Sequence, residues 1–167
     1  GLSARGLAVD TALGSGEEFP RFVEFWIEKP APNAKELTIH GLLDSRRVAG
    51  AYSFVLRPGM ETVTAVKARL YLRENVTKLG IAPLTSMFLK NTHDSDGPMD
   101  FRPAIHDSDG FAAWNGRDEH LWRPLVSPRD AQTSCFQDSG PKGFGLIQRD
   151  RRFAAYQDLE ARYHSRP

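Results

Sequence analysis

The sequence holds a single cysteine, Cys135, so no internal disulfide staples the fold and cysteine usage leaves the redox compartment open. A lone thiol is read as a small apolar side chain, and "TSCFQ" offers no neighbouring histidine to activate a nucleophile. Neither sign of charge dominates: 22 Lys plus Arg stand against 21 Asp plus Glu. That balance removes the electrostatic case for nucleic acid or an anionic membrane surface as a partner. Long hydrophobic runs are absent too. The longest, "VAGAYSFVL", falls far short of the about 20 residues that cross a bilayer as a helix, so no membrane insertion is expected. Nucleotide motifs are missing: "GPKGFG" lacks the G-K-[ST] ending of a phosphate loop, and no cofactor is expected. Ser134 and Ser139 lie outside a G-x-S-x-G setting.

What is present reads as strand. The 167 residues are 40% hydrophobic, enough for one domain of ordinary size with a real core. "RFVEFWIE" alternates, with Val23, Phe25 and Ile27 predicted on one face and Phe22, Glu24 and Trp26 on the other. "ELTIHGLL" follows the break "KPAPNAK", and "RVAGAYSFVL" ends in the turn signal "RPG". "ETVTAVKARLYLR" alternates most cleanly. Val66, Ala68, Leu70 and Leu72 face one way, while Lys67, Arg69, Tyr71 and Arg73 form a wet or substrate-facing side. In "FAAWNGRDEHLW", Asn115-Gly116 predicts a hairpin with a type I′ turn. Beyond it, Glu119, Leu121 and Arg123 share one face and His120 and Trp122 the other. "RDRRFAAYQDLEARYH" spaces Phe153, Tyr156, Leu159 and Tyr163 as one short helix would. No βαβ rhythm appears, so the class is mainly β, two packed antiparallel sheets.

The densest titratable cluster is the pentapeptide "HDSDG", which occurs twice, at His93–Gly97 and His106–Gly110. As calcium loops both copies fail. The first would need Thr92 and Pro103 as end ligands, the second Ile105 and Gly116, and no metal is expected. Aspartates in turns commonly serve the backbone. Glycosidic hydrolysis, by contrast, needs one protonated carboxyl at the leaving oxygen and one carboxylate to activate water. Trp26, Trp114 and Trp122 could stack on sugar faces, though a tryptophan in a β-sandwich is ordinarily core. Read from the residues alone, the chain is a soluble β-sandwich piece with an Asp-rich loop and several tryptophans.

Five stretches carry a resemblance: "GLSARGLAVDTALGSGEEFPRFVEFWIEKP", "GIAPLTSMF", "DFRPAIHDSDG", "LWRPL" and "GFGLIQRDRRFAAYQDLEARYHSRP". Together, in order and over nearly the whole length, the chain resembles the periplasmic glucan biosynthesis proteins G and D. The resemblance implies a galactose-mutarotase-like β-sandwich, with residues 1–167 a single-domain piece from the later part of a larger N-terminal domain. The trailing immunoglobulin-like domain is then absent. It further implies a periplasmic location and action on β-1,2-glucan, either as an inverting endo-β-1,2-glucanase or as a non-catalytic glucan-binding scaffold that guides nascent chains. Carried over by motif, Asp107 is the expected general acid and Asp10, in "RGLAVDTA", the expected base. Asp109, His106, Trp114, Trp122 and Arg123 are the expected substrate-binding set. Two departures from the family pattern stand out: "RDEH" stands where "NGEW" is expected before "LWRPL", with His120 in place of an aromatic, and "DSGPKGFG" stands where "ENPRGFG" is expected. The first "HDSDG" falls where relatives carry unrelated polar residues, so the second copy is the one expected to hold the acid.

Overall fold

The computed structural model describes residues 6–92, 99–128, 130 and 132–166; the first "HDSDG" lies outside them. The chain is mainly β and its sheets are antiparallel, as the alternation predicts. Its contacts divide it into two compact units, residues 6–83 and residues 84–166.

The first unit contains β1 (Leu7–Val9), β2 (Arg21–Ile27), β3 (Leu37–Asp44), β4 (Val48–Arg57), β5 (Val63–Leu72) and β6 (Leu79–Ile81). A four-stranded sheet runs β2-β3-β4-β5, and β1 pairs with β6 in a short ribbon. Leu7 and Val9 of that ribbon bury against Leu43, Val48 and Tyr52 of the sheet, with Phe22, Phe54 and Leu70 packed around them. The two-layer arrangement expected of a sandwich is thus realised at one end of the sheet.

Strand β2 departs from its simple alternation. A bulge between Phe22 and Glu24 inserts Val23 as an extra residue. Phe22 therefore joins Phe25 and not Trp26, and the two rings sit 5.4 Å apart between centroids. One additional residue shifts every upstream side chain to the other face. Gly41 of β3 makes room for the pair, since a Cβ there would meet the Phe22 ring at 3.1 Å and the Phe25 ring at 3.3 Å. On β5 the expected division holds. Val66, Ala68 and Leu70 stand opposite Phe54, Tyr52 and Gly50, on the face that carries the core.

The second unit contains β7 (Phe88–Lys90), β8 (Ile105–His106), β9 (Gly110–Trp114), β10 (His120–Pro124) and β11 (Gly143–Ile147). Strands β7 and β8 pair, and a three-stranded sheet runs β10-β9-β11. Ala104, Ile105, Tyr156 and Tyr163 form its buried cluster. The expected hairpin joins β9 to β10, but its turn differs from the type I′ prediction. The connection is five residues long, and the left-handed residue is Asp118 at φ 67°, not Asn115 or Gly116. The Asn115 carboxamide oxygen instead accepts from the N–H groups of Arg117 and Glu119, each at 2.9 Å, and so organises the loop with its side chain.

The C-terminal helix is shorter than its spacing predicts. It spans only α1 (Phe153–Tyr156) and stops where Gln157 turns left-handed at φ 53°. Asp158 then accepts from Ala161 N–H and pairs with Arg102 at 2.6 Å. A second short turn at Tyr163–Ser165 returns Tyr163 to the core. Local Asp and Arg bonds outweigh the weak propensity of a segment only about three turns long.

Candidate functional site

The second "HDSDG" connects β8 to β9 and is packed from end to end. His106, Asp107 and Ser108 are all buried. The His106 ring stacks on Phe88 at 4.9 Å and meets Tyr156 edge-on at 5.2 Å. Burial, aided by the nearby Asp109 charge, pushes the Tyr156 hydroxyl up to about 12. Asp107 is fixed at every polar atom. Its N–H donates to Met87 O at 2.8 Å, and its Oδ2 accepts from Met87 N–H at 3.3 Å. Its Oδ1 accepts from Arg166 at 2.9 Å, and its carbonyl accepts from Gln148 Nε2 at 2.8 Å. The same Gln148 amide donates to Tyr163 O, tying β11 to the C-terminal turn.

Asp109 has a different position. Its N–H donates to Ile147 O and its carbonyl accepts from Leu125 N–H, so it continues the β9 ladder by one residue. Its carboxylate accepts from Arg149 N–H at 2.5 Å and lies 3.6 Å from His106 Nε2. With its side chain 19% exposed, against 1% for Asp107, it is the motif carboxylate with solvent access.

From Asp109 the chain runs directly into the three-stranded sheet, where the register sorts the aromatic residues. Trp114 lies opposite His120, and Ala112 opposite Trp122, on one face. Gly143 and Gly145 of β11 fall opposite Trp114 and Ala112 on that same face. The Trp114 and His120 rings stack at 5.3 Å with an interplanar angle of 14°. Lys142 sits 4.9 Å from the Trp114 ring centroid, and Arg149 5.7 Å from that of Trp122. The result is an open groove of about 450 Å³ with ring walls and a floor of Ala112, Gly143 and Gly145. A Cβ at Gly143 or Gly145 would meet nothing within 4 Å, so these glycines keep the floor low. Gly110 has a packing role: a Cβ there would come within 2.6 Å of the Trp122 ring.

The sequence-predicted set is therefore divided. Trp114 and Trp122 line the groove; His106 is buried and Asp109 half-buried in the segment before β9, and neither of them lines it. Arg123 lies opposite Phe111, on the other face of the sheet from Trp122, and donates to the Trp122 carbonyl. Gln148, Arg166 and the two groove glycines lie in the stretch "GFGLIQRDRRFAAYQDLEARYHSRP" but are not among the expected site residues. The alternation in "GFGLI" was the available signal for the glycines, because in a strand alternate residues share a face.

Asp10 belongs to the other unit, just past β1, in a left-handed conformation at φ 55°. Its carboxylate accepts from Lys78 N–H at 2.8 Å and pairs with Arg47 at 2.6 Å. The Lys78 amide, together with Arg47, holds its pKa below the ordinary aspartate value. Arg47 also binds Glu18 at 2.7 Å, making an Asp–Arg–Glu triad that clamps the β3–β4 turn to the segment after β1. Burial works against the charge of Glu18, yet bonds from Ser45 and Arg47 bring it down to about 2. Among the described residues, no three His, Cys, Asp or Glu side chains converge as a metal site would require.

The second unit thus presents an open, glycine-floored aromatic groove on one antiparallel sheet. The whole length of the chain, residues 1–167, matches the family described as "Periplasmic glucan biosynthesis protein, MdoG", and the chain belongs to that family. It is 60% identical over 167 residues to a glucans biosynthesis protein G of Ralstonia nicotianae, covering all of this chain and 33% of that protein. Proteins of the same name from Rhodopseudomonas palustris strain BisA53 and Pseudomonas entomophila are 55% and 57% identical, again over the full chain. The chain thus spans about a third of the length of the curated relatives it matches.

Proposed function

We propose that this chain is the glucan-handling portion of a periplasmic glucan biosynthesis protein, working in the periplasm on β-1,2-linked glucan. The family and the names of its relatives support the role. The groove of Trp114, His120 and Trp122 is the observation that carries it. Flat rings beside a low floor suit pyranose faces, whose C–H groups stack on aromatic systems while hydroxyls reach Lys142 and Arg149.

The reaction is inverting hydrolysis. Asp107 serves as general acid at the leaving oxygen and Asp10 as the base that activates water. Support for Asp107 comes from the packed segment around it, which fixes its carboxyl between Met87 N–H and Arg166 in the stretch that leads into β9. An acid has to deliver a proton to substrate, so the Arg166 bond opens when glucan binds. Asp109 stands by to orient the sugar, and His106 holds Asp109 in place.

One observation favours a second reading. Both carboxylates assigned to catalysis are ion-paired, Asp107 to Arg166 and Asp10 to Arg47, as structural aspartates commonly are. On that reading the same groove guides nascent glucan without cutting it. Asp107→Asn in the full-length protein separates the two, scored by reducing ends released from β-1,2-glucan and by glucan retention in affinity electrophoresis. Cleavage reduced at least 100-fold with retention preserved is the expected result. Unchanged cleavage would remove Asp107 from the reaction, and a wild type that binds but never cleaves would establish the scaffold reading.

A further inference from the structure

The four-stranded sheet of the first unit has a second face, turned away from its core. The register sets its side chains in rows from β2 across to β5. Arg21, Asp44, Ala49 and Tyr71 form one row; Glu24, Leu42, Ala51 and Arg69 the next; Trp26, His40, Ser53 and Lys67 a third. Charge is graded along the rows. Glu24 on β2 and Glu28 just past it stand at one edge, Lys67 and Arg69 of β5 at the other. Size is graded as well. Strand β3 brings Leu42 and His40, whereas β4 brings only Ala49, Ala51 and Ser53.

The groups at the two edges are uncommitted. Trp26 is 48% exposed and Tyr71 58% exposed. The ion pairs on this face are His40–Glu28, Arg57–Glu36 and Arg73–Asp44. Among the described residues, Glu24, Lys67 and Arg69 enter none of them. Glu24 cannot reach the cations of its own sheet, because β2 and β5 stand three strand spacings apart, about 14 Å.

Both gradients are satisfied at once by a second copy. A half-turn about an axis along the strands, midway between β3 and β4, exchanges β2 with β5 and β3 with β4 and keeps every row in register. It also maps a uniformly twisted sheet onto itself, so two facing copies curve together. Glu24 then meets the partner's Arg69, Trp26 the partner's Lys67 and Arg21 the partner's Tyr71. At the centre, Leu42 meets the partner's Ala51 and His40 the partner's Ser53, large against small. Each contact occurs twice, as an isologous interface requires. A neutral polymer gives no reason for acids and cations to occupy opposite edges, and an anionic surface would be repelled by Glu24 and Glu28.

We propose that this face is a two-fold interface between copies of this chain in the full-length protein, closed by Glu24–Arg69 ion pairs and by contacts of Lys67 with Trp26 and of Arg21 with Tyr71. It involves the first unit alone and does not depend on the glucan-handling role. With Thr38, Val55 and Ala65 as a fourth row, the flat footprint is roughly 500 Å² per copy, about 1,000 Å² in all, near the lower bound for a specific interface. A dimer of micromolar strength is therefore expected.

The test follows self-association of the full-length protein by sedimentation velocity over a range of concentrations. Circular dichroism and melting curves verify that each variant is folded. Glu24→Arg alone and Arg69→Glu alone each set like charges face to face, and each is expected to weaken the dimer at least ten-fold. Mixing the two single variants is expected to restore it to within about three-fold of wild type, because a mixed pair recovers both opposite-charge contacts. Repair within one subunit cannot produce that rescue, since each chain carries only one of the changes. Unchanged association in both single variants, or no association in their mixture, would overturn the interface. A wild type that stays monomeric at every concentration would overturn it too, and would assign the face to other polypeptide of the same protein.

Discussion

Asp107 and Asp109 stand two positions apart in the same motif, and the structure gives them opposite surroundings. Asp107 is closed in by Met87, Arg166 and Gln148, while Asp109 reaches solvent beside His106. A comparable contrast holds at Arg47, which keeps two carboxylates ionised in one triad with Asp10 and Glu18. The Glu18 value falls from 4.5 to about 2 on folding. A depressed carboxyl pKa stabilises the fold fully above the unfolded value and loses that contribution as pH drops through the folded one. Stability should therefore fall progressively as pH goes from about 4.5 towards about 2, with the lowered Asp10 adding to the loss in the same direction. Glu18→Gln should melt several degrees lower at neutral pH and depend less on pH in the acid range. Melting curves from pH 7 to pH 2.5 decide this; parallel curves for both proteins would disconnect Glu18 from acid stability.

At the scale of elements, the groove is a consequence of register. Strands β9, β10 and β11 deliver two tryptophans, a histidine and two glycines to one face because the side-chain period is two. Gly145 is the most informative position. A Cβ there meets nothing within 4 Å, so Gly145→Val should leave stability within about 0.5 kcal/mol of wild type, as uncrowded substitutions generally do. It should also fill the floor between Trp122 and its neighbours and weaken oligosaccharide binding at least ten-fold. Retained affinity in a well-folded Gly145→Val protein would place the sugar elsewhere. The strands themselves were legible: the segments read as alternating match β2, β3, β4 and β5 closely. Strands β1, β6, β7 and β8 were not, because two or three residues carry no period. The bulge at Val23 was also invisible, since it is defined by how many residues the partner strand sets opposite it.

For the molecule as a whole, the informative surface is the apolar end of the four-stranded sheet. Phe25, Ile27 and Val66 lie on the core-side face, more than half exposed, beyond the reach of the β1–β6 ribbon. The chain spans about a third of its relatives' length. Uncovered apolar sheet of this kind drives association in water. The excised 167-residue chain is expected to elute as oligomers and to bind a hydrophobic dye such as anilinonaphthalene sulfonate. Phe25→Ser with Ile27→Thr should reduce both by more than half. A monodisperse, dye-silent wild-type chain would show that this face is closed without further polypeptide.

The sequence by itself determined the β class, the alternation of the long strands, the hairpin after Trp114 and membership of the glucan biosynthesis family. These depend on short-range periodicity, or on residues matched in order along the chain. Tertiary structure alone decided which carboxylates are ion-paired and which reach water, because Arg47 and Arg166 come to Asp10 and Asp107 from far along the chain. It also decided that Arg123 turns away from the tryptophans beside it, and that Phe22 joins the core. A side chain's face is local to its strand, but its partners are set by pairing, and pairing is a property of the folded chain.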